Sequence, residues 1–226
     1  MCACLQGYDL ISVTEMWWDG SYDGSLGMEG YGLFRKDRQG RQGGGGVALY
    51  VNDQLECMEL HLGTDEEQTK SLWVRIKGST GTGDIIVGVC YRPPDQEDQV
   101  DKAFYRQIGA TSCSQALVLM GDFNHPNIYW RDNSAGHKQS RRFLECVHNF
   151  LLQVIEEPTR RGAMLDLVLN SKKGLVGNVK LKGSLGCSDH EMVQFKILRA
   201  VRRVHSKLTT LGFRRADFGL FRDLVS

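Results

Sequence analysis

The sequence predicts an α/β protein in which strands outnumber helices, and three observations carry that prediction. Short runs of apolar and β-branched residues recur along the chain and break at Gly, Pro, Asn or Asp. Before residue 199, helical periodicity is confined to two stretches, 97–110 and 140–153. Four of the strand-like runs meet chemically capable residues at one end: Glu15, Tyr91 with Arg92, Asp122 with Asn124, and Asp189 with His190.

In chain order, 8–14 reads as a strand that ends at Glu15, followed by Trp17-Trp18-Asp19 as the aromatic lip of a core and a Gly- and Asp-rich loop over 19–31. Strands at 31–34 and 47–51 flank a basic loop that contains the glycines of 43–46. No G-K-[ST] follows these glycines and a strand rather than a helix comes next, so a phosphate-cradling P-loop is excluded and a basic hairpin is left. Residues 52–70 hold a short strand and an acidic, solvated loop. In 71–77, Leu72, Val74 and Ile76 alternate with Trp73, Arg75 and Lys77, the pattern of a half-buried strand. The nearly unbroken apolar run of 84–90 implies a strand covered on both faces, and it delivers Tyr91-Arg92-Pro93-Pro94. Val100, Phe104 and Ile108 recur every fourth residue and define the first helix.

The stretch 117–126, LVLMGDFNHP, is the centre of the chain. Alternation along a strand puts Asp122 and Asn124 on one side and Phe123 on the other. A carboxylate there can take a proton from water and an amide can donate to a phosphate or metal-bound oxygen, while the same residues also read as an Asx turn closing a strand. The second helix buries Phe143, Leu144, Val147, Phe150 and Leu151. A basic turn at 158–162 leads to the strand 165–170, which carries Asp166 inside an apolar run. An acid in that position needs a buried partner, and a histidine is the natural one. His190, beside Asp189 at the start of the strand 192–197 and after a short strand at 178–182, is the histidine so placed; the other five look incidental.

With 226 residues, 41% hydrophobic and 24% charged, the chain has enough apolar residues for one large core. No apolar run approaches the ~18 residues of a membrane span, and 1–20 lack the pattern of a signal peptide, so an intracellular location is expected. Seven scattered cysteines without a C-x-x-C pair read as reduced thiols. Charge is uneven: 1–120 holds 10 Lys+Arg against 17 Asp+Glu, and 121–226 holds 18 against 10. The basic half, with Arg141-Arg142, Arg160-Arg161, Lys172-Lys173 and 199–207, is the side expected to face a polyanion.

Taken in order, Glu15, Tyr91-Arg92-Pro93, Gly121-Asp122-Phe123-Asn124, Asp166 and Ser188-Asp189-His190 resemble the endonuclease/exonuclease/phosphatase superfamily. Within it the chain is most similar to the endonuclease domain of LINE-type (non-LTR) retrotransposons, through Trp17-Trp18-Asp19, Leu33-Phe34-Arg35, the glycines before Val47-Ala48-Leu49-Tyr50-Val51, Gly88-Val89-Cys90-Tyr91-Arg92-Pro93-Pro94 and Lys138-Gln139-Ser140-Arg141-Arg142-Phe143. The resemblance implies two packed mixed β-sheets flanked by helices, a four-layer sandwich of the DNase I type. It also implies nicking of DNA for a reverse transcriptase domain of the same polyprotein, with nuclear action. Glu15, with Asp189 close by, would hold Mg²⁺ or Mn²⁺. Asp122 would orient or deprotonate water; Asn124, Tyr91 and His190 would bind the phosphate; Asp166 would orient His190; Arg92, Arg160 and the basic half would contact the nucleic acid.

The resemblance also implies an earlier first strand carrying a metal-supporting Asn, which leads us to expect a domain over 1–198 that lacks it and weak or no activity from this chain alone. Residues 199–226 are then a basic linker and the start of an amphipathic helix leading towards the reverse transcriptase. Two other readings stand beside the endonuclease: a phosphatase or phosphodiesterase acting on a small phosphorylated molecule, and an inactive remnant that binds nucleic acid or protein.

Overall fold

Strands with one apolar face must bury it, and here two six-stranded sheets do so against each other. The computed structural model describes residues 7–16, 27–37, 45–63, 69–79, 81–160, 162–184 and 188–198, and the backbone of 206–212. The elements begin with β1 (Leu10–Met16), β2 (Tyr31–Lys36), β3 (Gly46–Asn52), β4 (Cys57–Glu59), β5 (Ser71–Ile76) and β6 (Ile85–Tyr91). There follow α1 (Asp98–Ser114), β7 (Ala116–Asp122), β8 (Ile128–Tyr129), β9 (Ser134–Ala135), α2 (Lys138–Phe150) and β10 (Leu152–Gln153). The last strands are β11 (Asp166–Asn170), β12 (Val176–Ser184), β13 (Glu191–Ile197) and β14 (Ser206–Gly212).

One sheet runs β12-β13-β14-β1-β3-β2 and the other β10-β11-β7-β6-β5-β4, with β8 and β9 as a separate small hairpin. Between the sheets lie Leu10 of β1, Val47, Leu49 and Val51 of β3, and Val74, Val87, Met120, Val168, Val193 and Phe195 from the strands around them, all essentially removed from water. Each such side chain contributes about 1.5–3 kcal/mol of burial free energy. The outer face of the second sheet forms another core with the helices, where Trp73, Leu117, Leu119 and Leu167 meet Phe104 and Ile108 of α1 and Phe143 and Val147 of α2. Phe123, just past the end of β7, packs into this layer with its ring 5.1 Å from that of Phe143.

The two packed mixed sheets are as expected; both described helices lie against one of them, so the described residues supply three of the four layers. The acids Asp98 and Asp101 in the first turn of α1 favour its positive end. That helix runs on to Ser114, whereas α2 stops at Phe150 and Leu152–Gln153 pairs with β11 as a strand, not as a last helical turn. The stretch 71–77 is not half-buried as its alternation suggested: Trp73 faces the helices and is fully covered, because the second sheet has a core on each side.

The segment expected to be linker also differs. β14 lies between β1 and β13, parallel to β1 (Leu10↔Leu208) and antiparallel to β13 (Val193↔Thr210), in the middle of its sheet. The sheet therefore has no gap among its described strands. Cys57, Cys90, Cys113 and Cys146 are free thiols, in line with the reduced reading. No described helix is long and apolar enough to cross a membrane. Trp17-Trp18, Arg161, Arg199 to Arg203 and the helix expected after Arg214 lie outside the described residues.

Candidate active site

The ends of β1, β6, β7, β11 and β13 bring their polar residues to one place. β6 and β7 pair in parallel with Tyr91 beside Asp122, and β11 pairs with β7 so that Asp166 lies directly opposite Asp122. Neighbouring strand ends thus assemble what the chain spreads over more than a hundred residues.

Two backbone distortions aim the acids. Glu15 sits at φ 58°, where the pairing of β1 with β3 slips between Val13 and Met16, and Asn124 sits at φ 48°. Left-handed backbone at non-Gly residues costs on the order of 1–3 kcal/mol and persists where surrounding contacts enforce it. Gly45 permits the close approach at Glu15, since a Cβ on it would overlap the Glu15 backbone. Gly45 thus has a packing role beside the acid, one that sequence alone did not reveal.

Asp122 is buried and doubly held: Oδ1 accepts from the Asn124 backbone N–H at 3.0 Å and Oδ2 from the Asn124 amide at 2.9 Å. The Asx turn and the carboxylate–amide pairing are one structure. Burial, together with the charge of Asp166, pushes the Asp122 carboxyl up to about 7. The Asn124 amide also donates to the Arg92 carbonyl at 2.9 Å, so both its N–H groups are engaged and it orients Asp122 instead of reaching outward to a phosphate. Tyr91 likewise gives its hydroxyl proton to Glu15 Oε1 at 3.2 Å, fixing that acid.

Asp166 finds the histidine expected of it: its Oδ2 lies 2.7 Å from His190 Nδ1, with both side chains buried. Burial lowers the His190 pKa, but the hydrogen bond and charge of Asp166 outweigh it and the net shift is upward. His190 Nε2 is buried and has no hydrogen-bond partner. Ligand atoms of Glu15, Asp122 and His190 all lie within 4.8 Å of one another. Two carboxylates drawn together in a buried cluster fit a divalent cation that takes oxygen ligands. Asp189, the other expected ligand, accepts both Nε and Nη2 of Arg160 on Oδ2 at 3.0 and 2.8 Å, while its Oδ1 is 3.8 Å from His190 Nε2.

Arg92 does not reach solvent. It is 3% exposed and makes a bidentate pair with Asp101, Nε to Oδ1 at 2.9 Å and Nη2 to Oδ2 at 3.0 Å, tying the end of β6 to α1. The expected nucleic-acid contact is a buried ion pair. Arg92→Leu leaves Asp101 as an uncompensated buried charge and is expected to cost about 3 kcal/mol, read as a lower denaturant midpoint. Arg160, 9% exposed, is committed to Asp189.

Two residues of the site escaped sequence reading. Thr159, fully buried, accepts the Leu165 and Asp166 backbone N–H groups on its hydroxyl, and its carbonyl accepts from Glu191 N–H, so it clamps the Asp166 strand to the His190 strand. Its signal was only a Thr beside a proline. His125, incidental by sequence, stacks on Phe143 at 4.6 Å and lies 3.2 Å from the Ser140 hydroxyl. Burial and the nearby Arg92 push its pKa down to about 3, which keeps it neutral.

The arrangement is two packed mixed sheets with a carboxylate, an amide and an acid–histidine pair at the strand ends. A family model described as endonuclease-reverse transcriptase matches residues 85–194. Among solved structures, the endonuclease domain of TRAS1, a telomere-specific non-LTR retrotransposon, superposes with a TM-score of 0.61 at 16% identity over 84% of this chain and 97% of that one. An endonuclease/exonuclease/phosphatase family protein from Leptotrichia buccalis gives 0.60 at 18% identity, over 86% and 89%. ANGEL2, a 2',3'-cyclic phosphatase, gives 0.50 at 15% identity, over 84% and 73%. No curated protein sequence matches significantly. The chain thus has the DNase I-like fold, and over residues 85–194 it resembles the endonuclease-reverse transcriptase family.

Proposed function

We propose that this chain is a divalent-metal-dependent phosphodiesterase that nicks DNA, the activity a non-LTR element uses to open a primer end for its reverse transcriptase domain. The observation that supports it above others is His190, whose Nε2 is buried and without a hydrogen-bond partner and which brings a ring nitrogen within 4.8 Å of carboxylate oxygens of both Glu15 and Asp122. An acid–histidine pair, a base and a cation site in one small volume suit attack of water on a phosphodiester.

Each residue then has a task. Asp122, with a pKa near neutrality, takes the proton of the attacking water, and Asn124 keeps its carboxylate aimed. Asp166 holds His190 by Nδ1 and favours the imidazolium, whose Nε2–H donates to a phosphate oxygen as charge develops there. Glu15, held by Tyr91, and Asp189, beside Arg160, would hold Mg²⁺ or Mn²⁺, which when bound stabilises negative charge on the phosphate oxygens. With Nε2 kept as a donor, the carboxylates are the better cation ligands.

Purified protein with Mg²⁺ or Mn²⁺ is expected to convert supercoiled plasmid to the open circle, and chelation is expected to stop it. Glu15→Gln, which keeps shape and removes the charge, is expected to slow nicking by about 100-fold or more, partly relieved by raised metal. A chain that hydrolyses a small aryl phosphate ester but leaves plasmid intact would overturn the DNA assignment in favour of a small-molecule phosphoesterase.

A further inference from the structure

Glu15 lies in β1 and His190 immediately precedes β13, and these two strands do not pair with each other. β14 stands between them. It pairs in parallel with β1, from Leu10↔Leu208 to Thr14↔Gly212, and antiparallel with β13, from Ile197↔Ser206 to Val193↔Thr210. It also meets β7, the strand that carries Asp122, across the sandwich.

The two registers end together at the site. Thr14 is opposite Gly212, and counting on from Val193↔Thr210 sets Glu191 opposite Gly212 as well. Glu15 and His190 are therefore the next residues past the same rung, one on each side of the end of β14.

That placement sets a distance. Neighbouring strands are about 4.8 Å apart, so one strand between β1 and β13 holds their backbones about 10 Å apart. Across this span the side chains of Glu15 and His190 reach until their ligand atoms come within 4.8 Å, with Glu15 turned by its left-handed backbone. Without β14, β1 and β13 would each present an unpaired edge in the middle of the sheet. Direct pairing of the two would remove the edges, but it would halve the spacing and spoil the aim of both side chains. Because β13 and β14 are consecutive and antiparallel, the insertion needs no crossover.

We propose that 206–212, which the sequence reads as part of a linker, is a positioning segment of the catalytic centre: the strand that holds Glu15 and His190 one strand's width to either side. This rests on the reading of the site given above. The domain then extends to Gly212, and its cation site forms only with this strand in place.

Placement and role are tested on the full chain. Oxidation of a Gln194→Cys/Thr209→Cys chain is expected to join these positions, found by mass in a non-reduced digest, because opposite residues of an antiparallel pair lie within disulfide reach. Gln194→Cys/Leu211→Cys, two residues out of register, is expected to give little of its product. Thr210→Pro removes a backbone donor from a strand bonded on both sides. It is expected to raise the Mn²⁺ concentration for half-saturation, read by water-proton relaxation, and that for half-maximal nicking, each by about 10–100-fold. Thr210→Val keeps the donor and a β-branched side chain and is expected to bind Mn²⁺ as wild type does. Thr210→Gly only loosens the strand, so it stays measurable where the proline variant does not fold. It is expected to show a smaller loss of Mn²⁺ binding, restored by the disulfide between positions 194 and 209.

Cross-linking that favours the 194/211 pair, or that fails in both, overturns the proposal. So does Mn²⁺ binding unchanged in both Thr210→Pro and Thr210→Gly. Wild type that binds Mn²⁺ and loses it in these variants, yet cuts no plasmid, would sink the nuclease reading and leave the role of β14 standing.

Discussion

Asp166→Asn is expected to lower the nicking rate by about 10⁴-fold with the fold intact, the loss seen when the acid of an acid–histidine pair is replaced by its amide. The amide is nearly the same size and can still lie near His190 Nδ1, now 2.7 Å from the acid, so nothing in the packing need change. What is lost is the charge that offsets burial and holds His190 as an imidazolium. A neutral His190 no longer offers the phosphate a charged donor, so the interaction that follows its developing charge is weakened or, in the Nδ1–H tautomer, lost.

The pH profile separates this account from a general loss of structure. Asp122 works only when ionised, and burial and Asp166 push its carboxyl up to about 7 without a metal, so the wild-type rate should rise as Asp122 ionises, with the limb lying below that value where a bound cation favours the carboxylate. It should fall again where His190 loses its proton, above the ordinary histidine range. These limbs belong to the coupled cluster, not to single residues. Removing the Asp166 charge takes away an interaction that raises both groups, so both limbs should move to lower pH in Asp166→Asn. A uniform drop in rate with unshifted limbs would falsify the proposed electrostatic role.

How much of this could be read beforehand depends on what fixes each feature. Strand cores were legible because burial imposes a pattern on them: 84–90 and 117–122 are β6 and β7 almost residue for residue. The partnership of Asp166 with a histidine was legible for the same reason, since an acid in an apolar run must be paired. Directions beyond strand ends were not legible. Arg92 and Asn124 follow strands whose alternation stops, and whether each turns outward to a ligand or inward to Asp101 and Asp122 is decided by neighbours that no strand pattern specifies. Thr159 was hidden for another reason. Its value lies in hydrogen bonds to other elements, and a lone Thr carries no pattern. β14 gave no signal because its two partners, β1 and β13, supply the pairing that a short mixed run does not announce.

Gly121→Ala is expected to be among the most destabilising single changes in the chain, costing about 5 kcal/mol or more. Gly121 takes φ 141°, a conformation that L side chains rarely adopt, and a Cβ on it would overlap the Cys90 carbonyl oxygen. That oxygen belongs to the backbone of a central strand, so no side chain can swing aside to make room. Backbone strain and overlap can be told apart by a control. Gly174 has φ 77° and open space around it, and Gly174→Ala should cost only the left-handed penalty of about 1–2 kcal/mol. The excess at Gly121, measured from denaturant midpoints, then reports how tightly β6 and β7 approach where Cys90 faces Gly121. Equal costs at the two positions would mean that this approach is not enforced. The excess also bears on function, because the next pair along the same ladder is Tyr91 with Asp122. Any shift that relieves the overlap moves the base away from the residue that holds Glu15, so folded Gly121→Ala protein should be poor at nicking even where it is stable enough to assay.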